Sequence, residues 1–210
     1  MLFYRVMRRL SWILLKVFFR FRVVGGQGIP REGPVVVVAN HESFLDPFAV
    51  GVALMKRPPA TFLAAPWIYD KPIAGGFARR VGTVPAYGEG KEVTALRESI
   101  RVLQRGGTVV LFPQGGIARD GISGGALFMA LKGQAPLLPM RVTGAVKALP
   151  LKRWWPSLFT RIEVAVQPLI QSADLQPKGV STSEAVDRGA ELLARELGLS
   201  LTATDVEARV

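Results

Sequence analysis

The sequence predicts a single α/β domain, a sandwich in which helices flank a central mixed sheet, preceded by an amphipathic helix. Short β-branched apolar runs alternate along the chain with longer stretches of helical periodicity. No linker, repeat or low-complexity tract divides the 210 residues, a length that supports one sizeable core. We therefore assign the helix to residues 1–22 and the domain to residues 23–210.

The first element is predicted to be a helix with two faces. Residues 1–22 carry six cations and no acid. At roughly 100° per residue, the cations fall on one arc of the helix and the apolar side chains on the other. The cationic arc comprises Arg5, Arg8, Arg9, Lys16 and Arg20, and the apolar arc comprises Phe3, Val6, Met7, Leu10, Leu14, Val17, Phe18 and Phe21.

This helix is too often interrupted by charge to cross a bilayer. Its longest uncharged stretch, LSWILL, is far shorter than the roughly 20 apolar residues of a membrane span. We expect it to lie in the membrane interface with its cations at the headgroups. A signal peptide is disfavoured because cations interrupt the apolar region and no small-residue cleavage site follows. A surface helix that packs on its own domain is the remaining alternative.

The later elements follow from local periodicity. Strands are predicted at residues 22–24, 35–39, 61–65, 83–85, 108–112, 137–142 and 162–166. The clearest helix covers residues 92–106, with Gly106 as its stop and one apolar face formed by Val93, Leu96, Ile100 and Leu103. A second clear helix, SEAVDRGAELLAREL, covers residues 183–197.

Charge and composition limit the partners and cofactors. The chain has 27 Lys and Arg against 16 acidic residues, a net charge of +11, which favours anionic partners such as lipid headgroups, nucleic acid, coenzyme A or acidic carrier proteins. The absence of cysteine excludes disulfides, iron–sulfur clusters and thiolate zinc, and one histidine leaves few ligands for another transition metal. We expect neither a metal nor another cofactor.

That one histidine, His41, lies in NHESFLD, directly after the predicted strand at residues 35–39. A strand-to-helix turn at a sheet edge is where α/β proteins usually bind ligands. Neutral imidazole accepts a proton from an alcohol, and a carboxylate on its other nitrogen fixes the tautomer; Asp46 is the candidate. Two alternatives remain. Asp46 before Pro47 is also a typical helix start, with Asp46 as N-cap only, and His41 fits a structural role equally well.

NHESFLD resembles the NHxxxxD motif of the glycerolipid acyltransferases, the family of 1-acylglycerol-3-phosphate acyltransferase. Three further stretches resemble the family's later blocks in the same order. They are KPIAGGFARRVGTVPAYG at residues 71–88, LFPQGGIARDG at residues 111–121 and PLLPMRVTG at residues 136–144. Together the four blocks span most of the chain.

The resemblance implies direct acyl transfer without a covalent acyl-enzyme. His41 would act as general base on an acceptor hydroxyl and Asp46 would orient it. The hydroxyl would attack the thioester of acyl-CoA or acyl-carrier protein, donors whose negative charge suits a basic surface. The turn after the fifth strand would line the acceptor site, through Pro113, Gln114, Gly115 and Gly116.

The chain also departs from the family's pattern. The second block of the family ends in an arginine and its third block carries Glu, Thr and Arg, residues associated with the acceptor's phosphate. This chain has Gly88 at the first of these positions, then Gln114, Gly116 and Ile117. Replacement cations are available in sequence at Arg79, Arg80, Lys91 and Arg119, each of which fits a solvated surface charge equally well.

The sequence therefore predicts a membrane-surface O-acyltransferase of the lysophosphatidate type, attached at the cytoplasmic face. Two alternatives are an acyltransferase that uses a glycolipid or other membrane alcohol, and a non-catalytic lipid-binding protein with the same fold. A nucleic-acid partner is disfavoured because the aromatics cluster in apolar stretches such as KVFF rather than alternating with the cations.

Overall fold

A seven-stranded mixed sheet forms the centre of the computed structural model, which describes residues 2–86, 92–117, 122, 124–151, 153, 155–177 and 179–199. The strands are β1 (Arg22–Val24), β2 (Val35–Ala39), β3 (Thr61–Ala64), β4 (Val84–Pro85), β5 (Thr108–Leu111), β6 (Leu137–Thr143) and β7 (Glu163–Val166). Their order across the sheet is β1-β7-β6-β2-β5-β3-β4. The helices are α1 (Leu2–Phe19), α2 (Asp46–Ala53), α3 (Pro72–Val81), α4 (Glu92–Gln104), α5 (Gly125–Gly133), α6 (Ala145–Ala148), α7 (Ser172–Leu175) and α8 (Thr182–Leu197).

The strand directions make the sheet mixed. β2 pairs in parallel with β5 on one side and β6 on the other, and β3 continues the parallel part from β5. β7 runs antiparallel to β6, and β1 is parallel to β7. All seven predicted strands are present with ends within one residue of the prediction, so the predicted fold class is confirmed.

The core has two layers because β2 buries both of its faces. Val35, Val37 and Ala39 point into a cluster shared with α1 and α2, whereas Val36 and Val38 point into a cluster shared with α4, α5 and α8. A strand covered on both sides reads as a continuous apolar run, which explains the sequence PVVVVA. Because β2 is also the middle strand of the sheet, its carboxyl end lies at the centre of the sheet edge.

α1 has three faces rather than the two predicted. Tyr4, Leu15 and Phe19 are buried against the domain, and α1 packs on α2. Burial raises the pKa of Tyr4 above its usual value. The alternative of a helix docked on its own domain is thus realised, while the apolar arc stays outside: the exposed large side chains include Val6, Leu10, Leu14, Val17 and Phe18.

Two residues of α1's predicted arcs lie elsewhere. Arg8, assigned to the cationic arc, donates to the carbonyls of Leu54 and Arg57 at the end of α2. Phe21, assigned to the apolar arc, follows the helix and is buried in the core. The division of the chain after residue 22 stays a prediction. No helix of the described residues is long and apolar enough to cross a membrane.

The later helices agree with the sequence except at one face. In α4 the predicted core residue Val93 is exposed, while Ala95 and Ser99 are buried. The small side chains suit the close packing of α4 on α5, and Ser99 satisfies its hydroxyl by donating to the Ala95 carbonyl. The start of α8 is capped by the Ser181 side chain, which accepts from the backbone N–H of Glu184.

Candidate active site

The His41 turn connects the carboxyl end of β2 to the start of α2. It stands between β5 and β6, the strands that flank β2. The imidazole is 15% exposed and the Asp46 carboxylate 1% exposed. The turn thus places a partly accessible base above a buried acid.

Asp46 folds back onto the turn instead of capping α2. Its Oδ2 atom accepts from His41 Nδ1 at 3.1 Å and from the backbone N–H groups of Glu42 and Ser43, each at 2.7 Å. α2 has no side-chain cap at its N-terminus. The alternative in which Asp46 serves only as an N-cap is therefore wrong: its bonds go to residues before the helix.

The carboxylate also determines the imidazole tautomer. An ionised carboxylate only accepts, so the proton of a neutral His41 lies on Nδ1 and the lone pair on Nε2. No described residue pairs with Nε2. Asp46 Oδ1 is buried and has no hydrogen-bond partner among the described residues. The pair consequently presents one proton-accepting nitrogen and holds negative charge behind it.

Two side chains from the end of β5 hold His41 in place. The Phe112 ring stacks on the imidazole with centroids 4.2 Å apart and planes inclined by 25°. Gln114 Oε1 accepts the backbone N–H of His41 at 2.5 Å. Sequence reasoning missed Phe112, although an aromatic residue directly before Pro113 was visible. The sequence prediction assigned Gln114 to the binding of the acceptor substrate, whereas the hydrogen bond described here joins the Gln114 side-chain amide to the His41 turn.

Asn40 and Ser43 fasten the turn on its other side. Asn40 makes a pair of bonds with the backbone of Val142, donating to the carbonyl at 2.9 Å and accepting the N–H at 2.6 Å. Ser43 Oγ donates to the Leu149 carbonyl at 3.1 Å. Three segments distant in sequence thus fix the position of His41.

The predicted acceptor turn follows β5 beside this cluster. Pro113 and Gln114 are buried, and Gly115 is exposed. Gly115 adopts φ +66°, a left-handed conformation that explains a glycine there, and its N–H points back to the Phe112 carbonyl at 3.4 Å. A substrate-binding role for Pro113, Gln114, Gly115 and Gly116 stays a prediction.

The predicted phosphate ligands Arg79 and Arg80 lie on the last turn of α3. Arg79 donates to the Tyr69 carbonyl at 3.2 Å, and Arg80 stands over the ring of Phe3 in α1. They line a cavity of about 610 Å³ with Phe3, Pro72, Ile73, Gly76 and Phe77. Neither arginine forms a hydrogen bond or ring contact with His41 or Asp46. Gly88, Lys91 and Arg119 fall outside the described residues.

The part of the chain that the structure describes contains no cluster of metal-ligating side chains. No group of three or more His, Asp or Glu residues in that part is arranged to hold an ion.

Comparison with known proteins tests the family assignment. A sequence model of the family described as Acyltransferase matches residues 20–143, more than half of the chain. The match contains the His41 turn, the β5 turn and all of β6. The chain belongs to the acyltransferase family. The family resemblance predicted from the four blocks is confirmed.

Relatives of this acyltransferase are distant. An uncharacterised protein of Mycobacterium tuberculosis is 30% identical over 164 residues, which cover 70% of this chain and 43% of the relative. The chloroplastic 1-acyl-sn-glycerol-3-phosphate acyltransferase of Arabidopsis thaliana is 29% identical over 140 residues, 63% of this chain and 38% of that protein. The chain thus spans less than half of the length of these relatives.

A solved structure supports the same fold. The crystal structure of the 1-acyl-sn-glycerophosphate acyltransferase of Thermotoga maritima superposes with a TM-score of 0.63 at 25% identity. The match covers 90% of this chain and 79% of that one. The α/β fold with its N-terminal helix is therefore shared with an acyltransferase of known structure.

Proposed function

We propose that this acyltransferase moves a fatty acyl group from a thioester donor, acyl-CoA or acyl-carrier protein, to the hydroxyl of a membrane lipid. The observation that carries the proposal is the His41–Asp46 pair, with Nδ1 held at 3.1 Å from a buried carboxylate in a chain of the acyltransferase family. A non-catalytic lipid-binding protein has no need of an oriented, partly exposed imidazole above a buried acid.

In this proposal His41 acts as general base and then as general acid. Nε2 takes the proton of the acceptor hydroxyl as its oxygen attacks the thioester carbonyl. This attack forms the ester C–O bond and gives a tetrahedral intermediate. Its collapse re-forms the carbonyl and breaks the C–S bond, and the imidazolium returns its proton to the departing thiolate. The Asp46 carboxylate stabilises the imidazolium at 3.1 Å.

The one hydroxyl side chain of the NHESFLD turn, that of Ser43, is not placed to act as a nucleophile, which favours direct transfer over an acyl-enzyme. Ser43 is fully buried, and its Oγ donates to the Leu149 carbonyl. A nucleophilic serine must instead reach the substrate and give its proton to a base. The acceptor lipid itself is therefore the nucleophile in the proposed reaction.

The acceptor is proposed to be a lysophosphatidate-type lipid, because the relatives named in Arabidopsis and Thermotoga carry that activity in their names. A neutral membrane alcohol or glycolipid is the second candidate, and a specific observation favours it. Gly88 and Ile117 stand where the family pattern has arginines, and a guanidinium binds phosphate through charge-assisted, bidentate bonds.

The proposed location is the cytoplasmic surface of a membrane, to which the protein attaches peripherally. α1 leaves Val6, Leu10, Leu14 and Val17 exposed on one side, and the chain has a net charge of +11. Exposed apolar side chains beside cations are typical of interfacial helices, and the cytoplasmic leaflet is rich in anionic lipid.

The test of the reaction is acyl transfer by the purified chain. A labelled acyl thioester is incubated with the protein and a membrane lipid extract, and the labelled product is identified. The expected product is an acylated lipid, with release of free thiol in equal amount. Absence of transfer from both CoA and carrier-protein thioesters would favour the non-catalytic lipid-binding alternative.

The acceptor is tested by comparing kcat/KM for lysophosphatidate and for a neutral lipid alcohol at a fixed donor concentration. The neutral-acceptor candidate expects phosphate recognition to be weakened by several powers of ten, because each charge-assisted bond contributes about 1.5 to 3 kcal/mol and two arginines are missing. Gly88→Arg with Ile117→Arg is expected to raise activity on the phosphate acceptor. Efficient use of lysophosphatidate by the unaltered chain would overturn the neutral-acceptor candidate.

A further inference from the structure

The segment between α6 and β7, residues 149–161, has an unusual composition for a surface loop. Its sequence, LPLKRWWPSLFTR, contains three cations, six leucine or aromatic residues and no acid. We call it the α6–β7 loop. Large exposed side chains within it are Leu151, Trp155, Leu158 and Phe159.

One residue of this loop is held in a costly conformation. Phe159 has φ +62°, in the left-handed region that bulky residues rarely adopt. Its side chain is nevertheless 62% exposed, so burial in the domain does not offset the backbone cost. An apolar partner outside the chain would offset this cost by covering the exposed ring.

The loop adjoins the exposed apolar arc of α1. The backbone N–H of Phe159 donates to the Phe18 carbonyl at 2.6 Å, and that of Ile162 donates to the Phe19 carbonyl at 3.0 Å. Phe18 is itself exposed at the end of the arc that contains Leu14 and Val17. The loop and the arc therefore form one continuous apolar surface.

The other end of the loop adjoins the His41 turn. Ser43 Oγ donates to the Leu149 carbonyl, the first residue of the loop. The next residue of the turn, Phe44, is half exposed. The α6–β7 loop thus runs from the edge of the sheet where His41 lies to the apolar arc of α1.

We propose that the α6–β7 loop inserts into the surface of an anionic bilayer as a second attachment element beside α1. The proposal rests on the membrane location in the proposed function and adds to it the orientation of the domain. Tryptophan with lysine and arginine is the composition of membrane-interface anchors, and the cations complement anionic headgroups. Attachment at both elements turns the His41 turn toward the lipid acceptor.

The test uses the absence of cysteine, which makes any introduced thiol unique. A polarity-sensitive fluorophore is attached to Leu158→Cys in the loop and to Leu14→Cys in the α1 arc. The matched control is Val93→Cys, an exposed apolar position on α4 at the opposite face of the sheet. Each labelled protein is titrated with vesicles of equal parts phosphatidylcholine and phosphatidylglycerol.

The expected result is a blue shift, and quenching by spin-labelled lipid, at Leu158 and Leu14 but not at Val93. A shift at Leu14 alone would overturn the proposal and leave α1 as the single attachment. A shift at Leu158 that follows protein concentration without vesicles would also overturn it, because a second copy of the chain would then cover the loop.

A second measurement separates this proposal from the proposed reaction. Trp155→Glu with Leu158→Glu is expected to weaken vesicle binding by about tenfold or more, while Val93→Glu leaves binding unchanged. Circular dichroism checks that each variant is folded. Unweakened binding of the double variant would contradict the proposal. Acyl transfer to a short-chain, water-soluble acceptor is assayed in parallel, so its failure counts against the reaction and not against the loop.

Discussion

Two buried polar clusters lie at opposite edges of the same pair of strands, β2 and β5. At the carboxyl edge, Asp46 holds His41 and the Gln114 amide holds the turn. At the amino edge, Arg57 is 3% exposed and joins the start of β5 to the chain before β2. Both clusters are buried, but they differ in how completely their polar atoms are hydrogen-bonded.

The guanidinium of Arg57 is surrounded by acceptors. Nε donates to Thr108 Oγ1 at 2.9 Å, and the two terminal nitrogens donate to the carbonyls of Pro30, Glu32 and Gly33. Burial lowers the pKa of Arg57 below its usual value, because it removes the cation from water. These bonds close the loop before β2 onto the sheet.

The carboxyl-edge cluster differs because it is incompletely satisfied. Asp46 Oδ1 has no hydrogen-bond partner in the described part of the chain, and the His41 side chain is bonded there through Nδ1 and not through Nε2. A saturated buried cluster stabilises the fold, whereas one that keeps an open acceptor also has chemistry available. The comparison predicts that substitutions at the two edges affect different measurements.

The largest expected effect is on activity at the carboxyl edge. His41→Ala removes the proposed general base, and loss of such a group typically costs about 10² to 10⁴ in rate. Since the side chain is not part of the apolar core, circular dichroism should be unchanged. Full activity in the folded variant would show that His41 is structural.

At the amino edge the expected effect is on stability. Arg57→Leu leaves buried carbonyls without donors, and we expect a loss of about 2 to 4 kcal/mol in the free energy of unfolding. Activity per folded molecule should stay the same, because the cluster lies at the edge away from His41. Arg57→Lys, which keeps a cation with fewer donors, serves as the matched control and should be intermediate. A loss of activity without a loss of stability would contradict the prediction that the amino-edge cluster stabilises the fold only.

The smallest effect is expected at Gln114, where a substitution should change both activity and stability. Gln114→Ala leaves the His41 N–H without its acceptor, a cost of about 1 to 3 kcal/mol for a buried group. We expect both the unfolding midpoint and kcat/KM to fall modestly. Gln114→Glu keeps an acceptor oxygen and should recover stability. If the alanine variant binds acceptor poorly yet unfolds normally, Gln114 touches substrate instead of positioning the turn.

The sequence predicted those features that depend on local pattern. Continuous β-branched residues gave β2 and β5, and the helical pattern of residues 183–197 gave α8. The sequence did not predict the contacts between distant segments. Residue 112 stacks on residue 41, and the fold-back of Asp46 is only one of the arrangements that a spacing of five residues allows.

The N-terminal helix illustrates the same limit. Its charge pattern correctly gave an exposed apolar arc, but Tyr4, Leu15 and Phe19 dock on a third stripe that periodicity does not separate from the others. Which stripe meets the domain depends on the shape of α2 and its neighbours. Leu15 and Phe19 lie in the same core cluster as β2, so the apolar arc is better tested by point substitutions than by removal of the helix.

The central claim is that Asp46 acts through His41, and a double-mutant cycle tests it most directly. Acyl transfer is measured as kcat/KM for the unaltered chain, His41→Ala, Asp46→Asn and the double variant, with folding checked by circular dichroism. We expect Asp46→Asn to slow the unaltered enzyme and to add almost nothing once His41 is alanine, because an orienting carboxylate has no role without its imidazole. Equal and additive losses in the two backgrounds would contradict it, and would mean that Asp46 acts independently of His41.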